Sequence, residues 1–123
     1  MPGPPRRRRT DGRLALSALA FTLRGVARSG EWTTEQAVAP LAGVDPDHPD
    51  ISGELGAVLE AIDHGEDAAG RPLLSAVVVA RATGLPGAGF FAYARRCGIH
   101  AGSDDQTLWR HELRRVHDYW HRH

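Results

Sequence analysis

Apolar residues in the first thirty positions recur at helical spacing. Leu14, Leu16, Leu19, Ala20, Leu23 and Val26 predict a helix from about residue 12 to 29, with Asp11 placed to cap its start and Gly30 to end it. Trp32 precedes Thr33-Thr34-Glu35-Gln36, where a Thr followed three positions later by Gln is a capping box; the short helix it opens runs to about Leu41. Asp45-Pro46-Asp47-His48-Pro49-Asp50 is a loop. Ser52 is placed to cap a third helix over 53–68, whose Leu55, Val58, Leu59 and Ile62 make one apolar stripe.

The pattern then changes period. Leu73 to Ala80 is a continuous, β-branched apolar run, which predicts a buried strand. Gly84, Pro86, Gly87 and Gly89 follow within Thr83–Phe91 and predict a tight turn, with at least one glycine at positive φ and with Gly87 and Gly89 sensitive to β-branched replacement. Residues 90–97 read as a strand start running into a short helix ended by Gly98. Ser103-Asp104-Asp105 caps a last helix over 106–120, with Leu108, Trp109, Leu113, Val116 and Trp120 on one face. The elements predict an α+β fold: a small winged-helix-like domain of three helices, a β-hairpin wing and a C-terminal helix.

With 123 residues the chain is long enough for one hydrophobic core. Residues 1–10, with three prolines and the run Arg6-Arg7-Arg8-Arg9, read as a disordered basic arm, and 11–123 as one domain. Cys97 is the single cysteine, which excludes an internal disulfide and fits a reducing compartment. The basic start and the segment Leu14–Val26 imitate a signal peptide, but Thr22 and Arg24 interrupt it and no good cleavage site follows; the expected location is the cytoplasm, with no membrane partner.

The net charge of zero conceals blocks. Residues 1–30 sum to +6, residues 31–70 to −10 and residues 71–123 to +4. All fifteen basic residues are arginine, which leaves no lysine for a Schiff base, a P-loop or a lysine-dependent nuclease site.

Several residue sets invite chemistry and are weaker than they look. Cys97 and His100 are spaced as Cys-x-x-His, and His117 and His121 share a helix face, but a structural zinc site needs more converging thiolates, so no metal and no cofactor is expected. Asp63, Glu66 and Asp67 read as a solvated polar face. Ser75, Tyr93 and His64 have no catalytic spacing, and Ser75 lies in a core segment. Trp109, Tyr119 and Trp120 read as core aromatics, and Glu112 with Arg115 as a same-face pair, of little worth if exposed.

The run Gly70–Val79, the turn Thr83–Phe91 and the ending Trp109, Glu112, Arg115-Val116, Tyr119-Trp120 resemble a set of short uncharacterised bacterial proteins with the pattern PLLSALVV…TGxPGxGFF…ExxRVxxYW, over residues 52–120. That resemblance implies association with restriction or phage defence and no assigned catalytic residue. A fainter resemblance is to the winged-helix domain of alkylguanine–DNA alkyltransferases. Their Pro-Cys-His-Arg nucleophile motif is replaced here by Leu74-Ser75-Ala76-Val77, so only the topology is implied.

The leading functional expectation is a non-enzymatic nucleic-acid-binding or accessory module. Its carriers are Arg6, Arg7, Arg8 and Arg9 on the arm and Arg71, Arg81, Arg95 and Arg96 around the wing, because arginine is the common phosphate contact. Phosphate repulsion by the acidic third helix restricts docking to arm and wing. The alternative is a protein-interaction module that offers the acidic helix to a basic partner; a small enzyme is the third reading. No composition feature fixes an oligomeric state.

Overall fold

The computed structural model describes residues 8–100 and 102–123, with side chains from residue 14 onward. Helix α1 spans Arg8–Arg28, and a two-residue strand β1, Thr33–Thr34, leads into α2, Glu35–Val38, and a 3-10 turn, Ala39–Ala42. Helix α3 covers Ile51–Ala68. A second 3-10 turn, Leu74–Val77, precedes β2, Val78–Val79, and α4 (Ala88–Arg96) and α5 (Asp105–Arg122) complete the described chain. β1 and β2 pair in parallel, Thr33 with Val78 and Thr34 with Val79.

This corrects the α+β winged-helix expectation. Among the described residues there is no β-hairpin and no wing: the fold is helical, with one two-residue parallel bridge. Residues 80–85 close on themselves through Ala80 N–H to Leu85 C=O and Gly84 N–H to Ala80 C=O, and the chain then enters α4 directly. The positive φ falls at Gly84 (+69°), while Gly87 lies at −67°. Gly87 and Gly89 are therefore not the strained positions of this turn.

The helix boundaries follow their local chemistry. Thr34, not Thr33, caps α2 by accepting from Ala37 N–H, and Asp50, not Ser52, caps α3 by accepting from Gly53 N–H. Asp104 caps α5 through Thr107 N–H, which holds its carboxyl below the usual range. The chain leaves α1 through Gly30, whose N–H meets Ala27 C=O while Glu31 N–H meets Val26 C=O; the same paired pattern recurs at Gly43, Gly70 and Gly98. Each of these glycines has positive φ, as that C-terminal motif requires.

The core is organised around residues 73–79, every one of them buried. The segment packs against α1, α3 and α5, with Leu19, Leu23, Leu55, Leu108 and Val116 among its surroundings. Its composition is that of a strand, but only two of its residues find a strand partner. A buried backbone must pair its polar groups somewhere. Here the helices supply side chains: Glu112 accepts Leu73 N–H at 2.8 Å, Asp63 accepts Ser75 N–H at 3.0 Å, and Trp109 Nε1–H donates to Ala76 C=O at 2.9 Å. Asp63 also accepts the Ser75 hydroxyl.

Candidate functional site

Four carboxylates that sequence reading places on surfaces, or does not single out, are inside. Glu35, Asp63, Glu66 and Glu112 are all buried. Asp63 and Glu66 are therefore not a solvated face; of that trio only Asp67 is exposed. Glu112, with no exposed surface, does pair with Arg115 at 2.6 Å, but its other oxygen holds the core backbone at Leu73. Burial raises the Asp63 carboxyl to about 7, against the opposing pull of its Ser75 hydrogen bonds, with Glu112 and Glu66 adding repulsion. Burial also pushes the Glu66 carboxyl up, but the guanidiniums of Arg71 and Arg24 more than offset this and leave it below its ordinary value.

Glu35 accepts the Ser52 hydroxyl at 2.7 Å, beside a cleft of about 20 Å³ that also meets Asp63, Ser75, Gly87 and Phe90. That volume holds one water-sized group and no organic substrate. Among the described residues no three His, Cys, Asp or Glu side chains converge as metal ligands. Tyr93 Oη lies 3.4 Å from His64 Nδ1, while Ser75 is engaged with Asp63, so the structure does not bring Ser75, Tyr93 and His64 together as a set.

Of the arginines expected to carry phosphate contacts, Arg71, Arg95 and Arg96 are held in ion pairs. Arg6 and Arg7 lie outside the described residues, and Arg8 and Arg9 begin α1 rather than ending an arm. Arg95 is held by Asp105 and the Ser103 carbonyl, and Arg96 by Glu60 at 2.6 Å. Arg71 is half-buried against Glu66 at 2.8 Å. Arg81 is exposed in the 80–85 turn, with no ion pair among the described residues. The turn residues Gly84, Pro86, Gly87 and Gly89 carry the chain from β2 to α4, and Pro86 is buried.

Two surface features stand out instead, and both involve α1. Leu14 and Phe21 are 63% and 74% exposed and lie seven positions apart, two helical turns along one face. The helix buries Leu19, Leu23 and Ala27 on another side, so Leu14 does not belong to the core stripe that its spacing suggested. A separate apolar recess of about 330 Å³, which neither of them lines, is bounded by Ala15, Leu16, Ala42, Ala57, Val58 and Ala61. The signal was present in the sequence as apolar positions too many for one helix face, since 14 and 21 fall outside the arc of 16, 19 and 23.

The second feature is a basic pole where the C-terminal parts of α1 and α5 meet. The guanidiniums of Arg24, Arg28 and Arg71 lie 5.2, 5.1 and 6.0 Å from the Trp120 ring centroid. Trp120 is buried as expected, whereas Trp109 and Tyr119 are only half-buried. Glu66, which accepts from both Arg24 and Arg71, is the carboxylate inside this group. Sequence position gave no hint that residues 24, 28, 71 and 120 meet.

No protein-family profile, no curated protein and no solved structure matches the chain. No helix among the described residues is long and apolar enough to cross a membrane.

Proposed function

We propose that this domain is a non-enzymatic interaction module that docks an acidic, amphipathic segment of a protein partner onto α1. The observation that carries this reading is the exposed pair Leu14 and Phe21 on one helix face. Large apolar side chains left in solvent on one helix face mark a candidate protein contact. The chemistry of the partner follows from charge: residues 6–13, which lead directly into Leu14, sum to +4, so apolar anchors flanked by carboxylates complement them and a basic partner does not. The acidic helix α3 offers less than its sequence suggests, because Asp63 and Glu66 point inward and Glu60 is paired with Arg96.

A second reading, nucleic-acid binding, is favoured by the basic pole around Trp120 rather than by the 80–89 turn.

The test uses a synthetic amphipathic helical peptide with acidic flanks and the same apolar face with basic flanks, read by fluorescence anisotropy on the full chain. The acidic peptide binds and the basic one does not. Leu14→Ser with Phe21→Ser weakens binding at least about tenfold, a normal cost for losing two apolar anchors. Equal binding of both peptides, or binding indifferent to the double variant, overturns the reading. Concentration-dependent dimerisation abolished by the double variant assigns the face to a second copy instead.

A further inference from the structure

Leu14 and Phe21 belong to a longer stripe of α1. Arg28 lies seven positions beyond Phe21, and seven residues make nearly two helical turns, so the three positions share one face and drift by only about 20° at each step. All three are exposed. Ser17, Ala18 and Gly25 are exposed between them, and a Cβ at Gly25 would have nothing within 4 Å. The outer side of α1 therefore carries two large apolar side chains and one arginine, standing above small residues.

This spacing selects the shape of what covers it. A helix laid along α1 presents its own residues at seven-residue intervals, so one of its faces meets all three positions. An extended segment does not. Leu14 and Phe21 are about 10.5 Å apart along the axis, or about three strand residues, and an odd step turns the second side chain to the opposite face of the strand. The low profile of Ser17, Ala18 and Gly25 leaves room for the side chains of a second helix between the anchors.

Charge selects the chemistry at both ends of the stripe. Residues 6–13 sum to +4 immediately before Leu14. At the other end Arg28 makes no ion pair among the described residues, and its guanidinium rests 5.1 Å from the Trp120 ring centroid. The recess beside Arg28 is lined by one carboxylate, Asp118, and by a second guanidinium, Arg122, so this end stays net positive with its histidines neutral. Arg24, on the flank of the stripe, is already held by Glu66.

We propose that the segment docked on α1 is itself an α-helix with a heptad pattern: apolar residues seven apart against Leu14 and Phe21, a carboxylate seven positions further on against Arg28, and more carboxylates at the opposite end, toward residues 6–13. This rests on the docking reading above and adds to it the conformation and register of the partner. Arg28 fixes the register, because a slip by one turn moves the carboxylate off Arg28 and the apolar residues off Leu14 and Phe21 together.

The experiment reads the fluorescence anisotropy of labelled helical peptides on the full chain, each peptide made in both chain directions. The first carries an acidic flank, two leucines seven apart and a glutamate seven positions beyond. The second replaces that glutamate by glutamine. The third keeps the composition of the first but sets the leucines five apart, on different helix faces. In the tighter direction the first peptide binds at least about tenfold better than the third. Loss of the glutamate weakens binding to wild type about threefold, the scale of a rim ion pair, and leaves binding to Arg28→Gln unchanged. Equal affinity of wild type and Arg28→Gln for the glutamine peptide shows that the exposed substitution keeps the fold. Equal binding of the first and third peptides, or the same glutamate effect in both proteins, overturns the heptad register; if Leu14→Ser with Phe21→Ser still abolishes binding, the docking reading itself stands. No binding of any peptide overturns both. Displacement of the first peptide by a short oligonucleotide, or a wild-type dimer lost in the double variant, gives the stripe to nucleic acid or to a second copy and overturns the proposal.

Discussion

Burial holds the Asp63 carboxyl at about 7 in the folded chain, far above the 3.8 of a solvated aspartate. The folded state therefore binds this proton more tightly than the unfolded state does. Its contribution is greatest below the unfolded value and is lost as pH rises from about 4 through 7, with an amplitude on the order of 4 kcal/mol. Glu66 runs the other way: its lowered value stabilises the fold above the unfolded value and is lost as pH falls. Asp63→Asn keeps an acceptor for Ser75 N–H and removes the titration. Thermal melts across this window should show wild type losing stability relative to Asp63→Asn as pH rises, and parallel curves would mean that Asp63 is not the group responsible. The glycines of the 80–89 turn give a second residue-scale test. Gly84→Ala forces a Cβ into positive φ and should cost about 1 kcal/mol. Gly89→Ala, inside α4 with open space at its Cβ, should stabilise by up to about 1 kcal/mol. Melting temperatures moving in the same direction would refute this division.

At the scale of elements, the defining feature is a strand-like segment with helices in place of a sheet. Residues 73–79 are apolar enough to be buried on every side; Val78 and Val79 pair with β1, while Leu73, Ser75 and Ala76 have backbone groups paired by Glu112, Asp63 and Trp109. Removing one of these partners strands a buried polar group, which is worse than losing a surface contact. Glu112→Ala should cost about 3 kcal/mol, and Glu112→Gln, which retains an acceptor for Leu73, clearly less. Trp109→Phe, which leaves Ala76 C=O without its donor, should cost about 1–3 kcal/mol. Denaturant unfolding of the three variants checks the order, and a Glu112→Gln as unstable as Glu112→Ala would remove the hydrogen-bond account. α1 shows the converse. Leu19→Ala, at a fully buried position, should cost about 2–5 kcal/mol, while Phe21→Ser leaves stability nearly unchanged because that ring is already in solvent.

Across the whole molecule, the charge blocks of the sequence meet in space. Arg24 of the first basic block and Arg71 of the second converge on Glu66 of the acidic one, and Arg96 reaches Glu60. The two junctions differ in burial and should differ in worth. Glu66 is buried, so Glu66→Gln leaves two guanidiniums without their carboxylate and should cost about 3 kcal/mol. Glu60 and Arg96 are exposed, and Glu60→Gln should change stability by less than about 1 kcal/mol, shrinking further with added salt. Chemical denaturation at low and high salt compares them; equal costs would show that burial does not set their strength.

Most helices were legible in the sequence, because each is written in local terms: apolar periodicity, an Asp or Thr ready to accept a backbone N–H, a glycine at the exit. Gly30, Gly98 and Asp104 act where their neighbours suggest. The 73–80 run was legible as buried core and misleading as a strand, since a strand is completed by a partner elsewhere in the chain and here only Thr33 and Thr34 provide one. The wing failed for the same reason: Gly and Pro mark a turn, but a hairpin also needs two pairing strands. The candidate sites were the least legible. Leu14 and Phe21 could have been recognised as surplus to one helix face, but nothing local brings Arg24, Arg28, Arg71 and Trp120 together. Helix starts, helix ends and apolar segments are readable from the chain alone, because they depend on residues a few positions apart. Which carboxylates are buried, which arginines are already paired and which apolar side chains remain outside emerge only on folding, because they depend on groups brought together from distant parts of the chain.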